Sequence, residues 1–307
     1  MNMRNQKDKT REIRIATRGS RLALAQVEIV KRCIQGYCPQ VTFREVLVQT
    51  KGDRDRTSPL SEIGGKGLFV KEVEQALLRN EADLAVHSGK DLPYELESSL
   101  MIGGVPEAAD VRDVWILPRG KAVDPKTFSG TIGTGSARRI AEAKVLFPQA
   151  SCEPIRGNVD TRLQELRDGG YDSLLLAKAG LDRLGLDVRD FDVIPMNPEE
   201  FLPSACQGII AVECRKEDAF LQEVLRSITH EETERRFRVE RCMLQALQAD
   251  CTVPIGVYCQ LHREETGGER MKLSVRFASH RIDVEAPYEQ YPEVCRHIGA
   301  QLGTENF

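Results

Sequence analysis

A short apolar run that ends abruptly in a polar cluster, at residues 82–93, is the feature that most constrains the fold of this chain. Its length and composition predict a buried strand, and Gly89 and Pro93 predict that the strand stops there. In an open α/β sheet, ligands bind at the carboxyl ends of the strands. The polar side chains at that end are His87, Ser88, Lys90 and Asp91. The run therefore predicts one edge of a binding site, although a strand followed by an ordinary solvated turn fits the same residues.

An earlier strand-to-helix turn carries an arginine. Residues 14–16 predict a strand that turns into an amphipathic helix running to about residue 35. Arg18 and Ser20 stand where the helix begins, and the free backbone N–H groups of a helix start favour an anion. A simple helix cap at Ser20 beside a solvated Arg18 is the alternative. Residues 41–49 then predict a second strand of a βαβ unit.

The charged segment at residues 51–63 predicts a mobile surface loop. It is followed by a glycine-rich turn at residues 64–71 that opens a helix to about residue 79. The turn contains Lys66 but lacks the Walker spacing and the Ser or Thr after the lysine. We therefore reject a nucleotide-binding loop at this position.

Arginines near strand ends mark a second α/β unit that begins at residue 114. Residues 131–139 repeat the strand, small-residue turn and helix start, with Ser136 in the turn. The arginines placed in this way are Arg138, Arg139, Arg156, Arg162 and Arg183. Because arginine presents a planar fork that matches a carboxylate, together they predict a site for a polyanion. Each arginine taken alone fits a solvated surface charge equally well.

Two segments predict connections between these units. The polar stretch at residues 106–113 predicts a crossover from the first unit to the second. A strand at residues 209–213, just after Gln207, follows the completed second unit, so we expect it to return to the first sheet. Two crossings would give a hinged cleft between two lobes, as in periplasmic binding proteins.

After residue 217 the pattern predicts a small α+β domain with antiparallel strands. A charged helix at residues 231–248 precedes strands at 257–262, 272–277 and 282–285 and a closing helix at 289–302. Cys251 lies in the turn after the first of these helices, where a thiol is reachable, as a reactive cysteine must be. The alternative for Cys251 is an inert small residue, which is our interpretation of the other eight cysteines.

The composition excludes several classes of protein. The 307 residues suffice for two or three domains, and the net charge of −4 argues against non-specific binding to nucleic acid or to an anionic membrane surface. No apolar segment is long enough to span a bilayer, and residues 1–14 lack the apolar core of a secretory signal. Nine cysteines without a Cys-x-x-Cys pair predict neither a disulfide framework nor a metal site, and they fit a reducing cytoplasm.

A series of motifs in a fixed order resembles one known family over nearly the whole chain. The motifs lie at residues 14–20, 64–72, 83–93, 133–139, 156–163, 179–185, 202–215 and 251–256. On these residues the chain resembles the hydroxymethylbilane synthase family, also called porphobilinogen deaminase. The resemblance implies an α/β fold with two periplasmic-binding-protein-like lobes around a cleft and a small α+β C-terminal domain. The implied domains are residues 1–106 with 207–226, residues 112–202, and residues 230–307 with the cofactor cysteine.

The resemblance implies a transferase of tetrapyrrole (haem) biosynthesis. In this family four porphobilinogen molecules are condensed head to tail, each with loss of ammonia, and the linear tetrapyrrole is released by hydrolysis. The resemblance also implies that Cys251 holds a dipyrromethane cofactor through a thioether and retains it as a primer. The implied partners are porphobilinogen and the growing oligopyrrole, with no nucleic acid, membrane or metal, and the chain is expected to be a cytoplasmic monomer.

The resemblance assigns roles to the candidate residues. Each pyrrole carries an acetate and a propionate, so the growing chain is a polyanion that arginines can bind. Asp91 is the implied catalytic residue, which stabilises the cation left by deamination and moves protons at the pyrrole nitrogen and α-carbon. The implied cofactor-binding residues are Ser88, Lys90, Asp91, Ser136, Arg138, Arg139, Arg162 and, covalently, Cys251. The implied substrate-binding residues are Arg18, Ser20, Lys66, Arg156, Arg183 and Gln207, and the loop at residues 51–63 is the implied lid.

Two residues depart clearly from the family pattern, and Lys178 and Gly135 are lesser departures. Cys206 and Asp250 each stand where glycine is more usual in the family. Asp250 would disfavour a thiolate at the neighbouring cysteine by like charge, which affects cofactor loading more than the reaction itself.

Two other functions fit parts of the sequence. Two hinged lobes with arginines would also serve a non-catalytic binding protein or sensor for a small carboxylate, but this leaves Asp91, Cys251 and the third domain without a role. A cysteine-nucleophile transferase unrelated to pyrroles would need a histidine near Cys251, and the sequence places none there.

Overall fold

The computed structural model describes residues 11–54, 67, 70–249, 253–264 and 267–304. The predictions for Lys66, Asp250 and Cys251, and for most of the expected lid, lie outside the described residues. Within the described ranges, no helix is both long and apolar enough to cross a membrane.

The first lobe begins with a βαβ unit whose sheet carries helices on both faces. Its elements are β1 (Glu12–Arg18), α1 (Arg21–Tyr37), β2 (Thr42–Val48), α2 (Lys51–Arg54), α3 (Lys71–Leu78), β3 (Leu84–Ser88) and β4 (Leu100–Gly104). Strand β1 is parallel to both β2 and β3. Helix α1 packs Val27 and Val30 on one face of this sheet, and α3 packs Leu77 on the other. The carboxyl ends of β1 and β3, at Arg18 and Ser88, therefore meet at one edge, as the sequence predicts.

Residues 51–54 differ from the predicted surface loop because they form helix α2. The backbone N–H of Lys51 donates a hydrogen bond to Glu72 Oε1 (3.1 Å) in α3. This contact ties the short helix to the longer one and gives the segment a regular conformation that its charged composition does not predict.

The second lobe repeats the same arrangement of strands. Its elements are β5 (Asp113–Pro118), β6 (Thr131–Gly133), α4 (Ala137–Leu146), β7 (Ser151–Glu153), α5 (Val159–Arg167), β8 (Ser173–Ala177), α6 (Lys178–Leu184) and β9 (Phe191–Pro195). The strand order is β7-β6-β8-β5-β9, with β6 parallel to β7 and β8, and β5 antiparallel to β8 and β9. Buried Trp115 packs against Phe128 and Phe147, with ring centroids 5.1 and 4.8 Å apart. This aromatic group fills one face of the second sheet.

The chain passes between the lobes at residues 105–112 and again at residues 196–209. The second crossing leads into β10 (Ile210–Arg215), which pairs antiparallel with β3 and β4. The first sheet therefore has the order β2-β1-β3-β10-β4, and the predicted return of this strand is confirmed. Both sheets share one order of parallel and antiparallel strands, so the predicted fold of two periplasmic-binding-protein-like lobes is confirmed as well.

A small antiparallel sheet packed with helices follows the two lobes. Helix α7 (Ala219–Ser227) still belongs to the first lobe, because Leu221, Val224 and Leu225 pack in its core. The elements of the small unit are α8 (Glu231–Leu247), β11 (Ile255–Arg263), β12 (Glu269–Phe277), β13 (His280–Pro287) and α9 (Tyr291–Thr304). Strand β12 pairs with both neighbours, as the α+β prediction requires. Buried Glu240 of α8 accepts hydrogen bonds from the backbone N–H groups of Cys206 (2.5 Å) and Cys259 (3.2 Å). One carboxylate thus joins this sheet to the second crossing.

Candidate active site

A cleft of about 880 Å³ lies between the lobes, at the carboxyl ends of β1, β3 and β8. The predicted site residues that line it are Arg18, Ser20, Ser88, Lys90, Arg139, Arg156, Arg162, Arg183 and Gln207. Of the predicted residues that the structure describes, Asp91, Ser136 and Arg138 do not line it. Asp160 is the only carboxylate among the described lining residues, so the cleft is strongly cationic although the whole chain is anionic.

Strand β3 ends in a tight turn that brings Ser88, Lys90 and Asp91 together. Residues Gly89–Asp91 form a short helical turn, and Lys90 Nζ donates to Gln207 Oε1 (3.4 Å) of the second crossing. Burial and the nearby Arg139 lower the pKa of Lys90 to about 8, while Asp91 acts in the opposite direction. Lys90 is therefore cationic at neutral pH, close to the pH at which it loses its proton.

Buried Asp113 binds both paired arginines at the start of the second lobe. Its carboxylate lies 2.7 Å from Arg138 Nη2 and 2.8 Å from Arg139 Nη2. Gln207 Nε2 donates to Asp113 Oδ1 (3.1 Å) and to Val111 O (2.8 Å), which links the second crossing to the first. Burial opposes ionisation of Asp113, yet the two guanidinium groups hold the pKa of Asp113 below its ordinary value. One carboxylate thus fixes both arginines and both crossings.

The two paired arginines point to different places. Arg139 reaches the cleft, whereas buried Arg138 donates from Nη1 to Leu202 O (2.7 Å) behind it. Ser136 caps α4, because its hydroxyl accepts a hydrogen bond from the backbone N–H of Arg139 (3.4 Å). Ser136 and Arg138 therefore lie where they support Arg139 rather than on the cleft wall.

Arg162 and Arg183 supply cations from the opposite wall. Arg162 Nε donates to Gly157 O (3.0 Å), and Arg183 Nη2 donates to Gly208 O (2.6 Å). Burial lowers the pKa of each guanidinium to about 10, so both remain charged at neutral pH. The buried Nε of Arg183 has no hydrogen-bond partner among the described residues. Such an unsatisfied buried donor fits a site that holds an anion.

The family is decided by comparison of the sequence with known proteins. The family model described as "Porphobilinogen deaminase, dipyromethane cofactor binding domain" matches residues 13–223. The chain belongs to the porphobilinogen deaminase family. The porphobilinogen deaminase of Nitratidesulfovibrio vulgaris is 43% identical over 241 residues, which cover 78% of this chain and 75% of the relative. That of Syntrophobacter fumaroxidans is 41% identical over 299 residues, which cover 96% of this chain and 94% of the relative.

Among solved structures, the substrate-binding protein of an amino acid ABC transporter is similar with a TM-score of 0.38 and 12% identity. The match covers 75% of this chain and 96% of that chain. Because this TM-score is below 0.5, the two-lobed fold of this porphobilinogen deaminase family member rests on its strand order.

Cys206, one of the departures from the porphobilinogen deaminase pattern, has a φ of +59°. This is the left-handed region that glycine adopts most easily, so the glycine expected from the family pattern would fit there without strain. A side chain in this region costs about 1–2 kcal/mol. The Cys206 thiol is fully buried, and burial raises its pKa, so it is not a nucleophile for the cleft.

A dipyrromethane fits the donors of this cleft. Its rings carry carboxylates, and the cleft presents Lys90, Arg162 and the unsatisfied Nε of Arg183. The strand that follows Cys251 in the sequence contacts the second crossing, because the backbone N–H of Val257 donates to Pro203 O (2.9 Å). The chemistry of the donor set thus agrees with the cofactor that the family model names.

Sequence analysis missed three features of this site. Gln26 of α1 donates from Nε2 to Ser88 Oγ (2.8 Å), and its signal is a polar residue within the apolar stripe of the helix. Asp113 is a carboxylate directly before an apolar run, which marks a charged residue at the start of a buried strand. Arg21 and Asp160 form an ion pair (2.6 Å) between the lobes, and no local pattern relates these two residues.

Proposed function

We propose that this chain is a hydroxymethylbilane synthase. It is a transferase that condenses four porphobilinogen molecules on a covalently held dipyrromethane primer and releases a linear tetrapyrrole by hydrolysis. The observation that carries the proposal is the cationic cleft, in which the turn that bears Lys90 lies opposite arginines of the second lobe. Relatives named porphobilinogen deaminase, at 43% and 41% identity, support the same activity in tetrapyrrole biosynthesis.

Carboxylate binding explains why the cleft is so rich in arginine. Porphobilinogen carries an acetate and a propionate, so each addition brings two more negative charges into the cleft. A hydrogen bond to a charged group contributes about 1.5–3 kcal/mol, and a bidentate arginine fork adds specificity for carboxylates. The substrate-binding residues that we propose are Arg18, Ser20, Lys66, Arg156, Arg183 and Gln207.

We assign covalent attachment of the dipyrromethane to Cys251. When bound, the cofactor supplies the pyrrole α-carbon to which the first substrate is joined. Ser88, Lys90, Arg139 and Arg162 line the cleft and would bind its carboxylates. Ser136 and Arg138 would act by positioning Arg139. Asp250 stands directly before Cys251 and would slow loading by disfavouring the thiolate.

We assign the catalytic role to Asp91. Loss of ammonia breaks the C–N bond of the porphobilinogen aminomethyl group and leaves a cation conjugated with the pyrrole nitrogen. A fixed carboxylate in a half-buried turn stabilises this cation more strongly than water does. Asp91 lies beside the cleft-lining Lys90 and does not itself line the cleft, so this role requires the turn Gly89–Asp91 to present its carboxylate when porphobilinogen binds. Asp91 would then accept a hydrogen bond from the pyrrole N–H and, after the new C–C bond forms, the proton that the α-carbon releases.

We propose three domains, one for each sheet. The domain division is residues 1–106 with 207–226, residues 112–202, and residues 230–307, supported by the membership of the three sheets. The chain would act as a cytoplasmic monomer without nucleic acid, and residues 51–63 would serve as a lid over the cleft.

The test measures ammonia release and tetrapyrrole formation from porphobilinogen. We expect the native chain to be active and Asp91→Asn to be slower by about 10²–10⁴-fold, with Asp91→Glu intermediate. Asp187→Asn, which changes an exposed carboxylate on the second lobe, is the matched control and should keep full activity. Binding of porphobilinogen without ammonia release by the native chain would contradict the proposal and favour a carboxylate-binding protein.

A further inference from the structure

Helices α8 and α9 bring two cysteines into contact, far from each other in sequence. Cys295 Sγ on α9 lies 3.8 Å from Val239 O of α8, on the turn that precedes Cys242, and each of the two thiols affects the pKa of the other. One helical turn further along both helices, a β-carbon on Gly299 would lie 2.9 Å from Ala246 O. The absence of a side chain at Gly299 lets the two backbones approach closely. Close approach of the two backbones is a requirement for a disulfide between neighbouring helices.

The two thiols differ in their surroundings. Cys295 is fully buried, and its Sγ donates to Val239 O (3.8 Å). Cys242 is only partly buried and lines a groove of about 490 Å³ between α8 and the first sheet. No described residue that lines this groove also lines the cleft. Small molecules can therefore reach Cys242, but not Cys295, without passing through the active site.

The charges around Cys242 favour its thiolate. The groove is lined by Lys216, Arg238 and Arg241, with Glu97 as its only acidic residue among those described. The neighbouring Cys295 lowers the pKa of Cys242 against the effect of burial, and Arg296 acts in the same direction. A lowered pKa increases the fraction of Cys242 that is thiolate at neutral pH, the form that reacts with oxidants.

Cys242 differs in this respect from the other cysteines. Burial raises the thiol pKa of several of them, namely Cys33, Cys152, Cys206, Cys214 and Cys259. Sequence analysis treated Cys242 and Cys295 as inert, and the structure gives one of them a reactive environment with a second thiol beside it.

We propose that Cys242 and Cys295 form a modification site for hydroperoxides, whose product is a disulfide between α8 and α9. The Cys242 thiolate attacks hydrogen peroxide, the O–O bond breaks, and one oxygen forms a sulfenic acid while the other leaves as hydroxide, which takes a proton from solvent to become water. The Cys295 thiol then attacks the sulfenic sulfur, the S–S bond forms, and a second water leaves with the oxygen and the proton of Cys295. The two thiols supply the two electrons that reduce the peroxide.

The experiment treats the full-length purified chain with hydrogen peroxide, blocks remaining thiols by alkylation and maps the peptides by mass spectrometry. We expect a linked pair of peptides with Cys242 and Cys295 and the loss of two hydrogen atoms from the intact chain. The Cys295→Ser variant should stop at a sulfenic acid on Cys242, which dimedone labels. Cys33→Ser and Cys251→Ser should form the disulfide as the native chain does, so the result does not depend on the proposed function.

Alkylation rates of the native chain give a second measurement, which does not require the Cys295→Ser variant to fold. Because burial raises the pKa of Cys33 while the pKa of Cys242 is lowered, Cys242 has the larger fraction of thiolate at pH 7, and its lower intrinsic nucleophilicity offsets only part of this advantage. We therefore expect iodoacetamide to modify Cys242 severalfold faster than Cys33. The proposal is overturned if Cys242 and Cys295 both remain alkylatable after peroxide, if the disulfide involves another cysteine, or if Cys242 reacts no faster than Cys33.

Discussion

Replacement of Asp113 by asparagine should destabilise the second lobe and the cleft together. The Asp113 side chain is fully buried and forms ion pairs with Arg138 and Arg139 at 2.7 and 2.8 Å. Asparagine keeps the shape but removes the charge, so two buried guanidinium groups lose their counter-ion. The side-chain amide of the new residue also places donors where the arginines and Gln207 need an acceptor.

The expected loss follows from the cost of leaving a buried charge unpaired. Removing one partner of a buried ion pair costs about 3–5 kcal/mol. A natural protein has a total stability of about 5–15 kcal/mol, so the Asp113→Asn chain should lose a large part of its stability. Because the arginines hold the folded-state pKa of Asp113 below its ordinary value of 3.8, this contribution is present above that value and is lost as the pH falls through the lower folded pKa. The difference in the free energy of unfolding between native and variant chains should therefore be constant near neutral pH and should disappear in acid.

Urea unfolding followed by tryptophan fluorescence is the appropriate assay. Trp115 is the only tryptophan of the sequence, is fully buried, and lies two residues from Asp113 in β5. Asp187→Asn changes an exposed carboxylate of the same lobe and should unfold as the native chain does. Two results would refute the reasoning. One is that the urea midpoint of Asp113→Asn shifts no more than that of Asp187→Asn, and the other is that its shift persists unchanged in strong acid.

Three further predictions concern the cations of the cleft. Because the folded-state pKa of Lys90 is lowered to about 8 from 10.5, its ammonium is lost above pH 8, so initial rates of ammonia release should fall there. The fall should move to higher pH in Lys90→Arg, and an unchanged pH profile would contradict this role. The same lowered pKa means that the Lys90 contribution to stability increases as the pH rises from about 8 to 10.5, which pH-dependent urea unfolding can measure. Arg183→Ala should raise KM for porphobilinogen by about 10- to 150-fold, the loss of one charge-assisted bond, with little change in kcat. Arg189→Ala, on the exposed surface, is its control, and equal KM values for the two variants would count against carboxylate binding by Arg183.

Much of the fold can be predicted from the sequence because the patterns that indicate its strands and turns lie within short stretches of residues. The apolar run that becomes β3 and the turn after it are visible in a dozen residues. The return of β10 to the first sheet follows from its position after a completed unit, and the pairing with β3 confirms it. Helix α2 is not predicted, because its regularity depends on a contact with Glu72, which lies in another helix.

The site is predictable in its charge but not in its internal contacts. Arginines near strand ends identify the cleft, since strand ends converge at one edge of a sheet. The sequence does not show that Arg138 turns away from the cleft, because this depends on Asp113 and on the carbonyl of Leu202. The Cys242–Cys295 contact is equally invisible, since it requires the packing of two helices that are separated by an entire sheet.

The intact mass of the purified chain, measured beside that of Cys251→Ser, tests the central claim most directly. The account predicts that the native chain is heavier than its sequence by two condensed pyrrole units and that Cys251→Ser has its bare sequence mass. This result would establish the cofactor and its attachment residue together. A native chain at its bare sequence mass, even after incubation with porphobilinogen, would contradict the synthase function and the covalent role of Cys251.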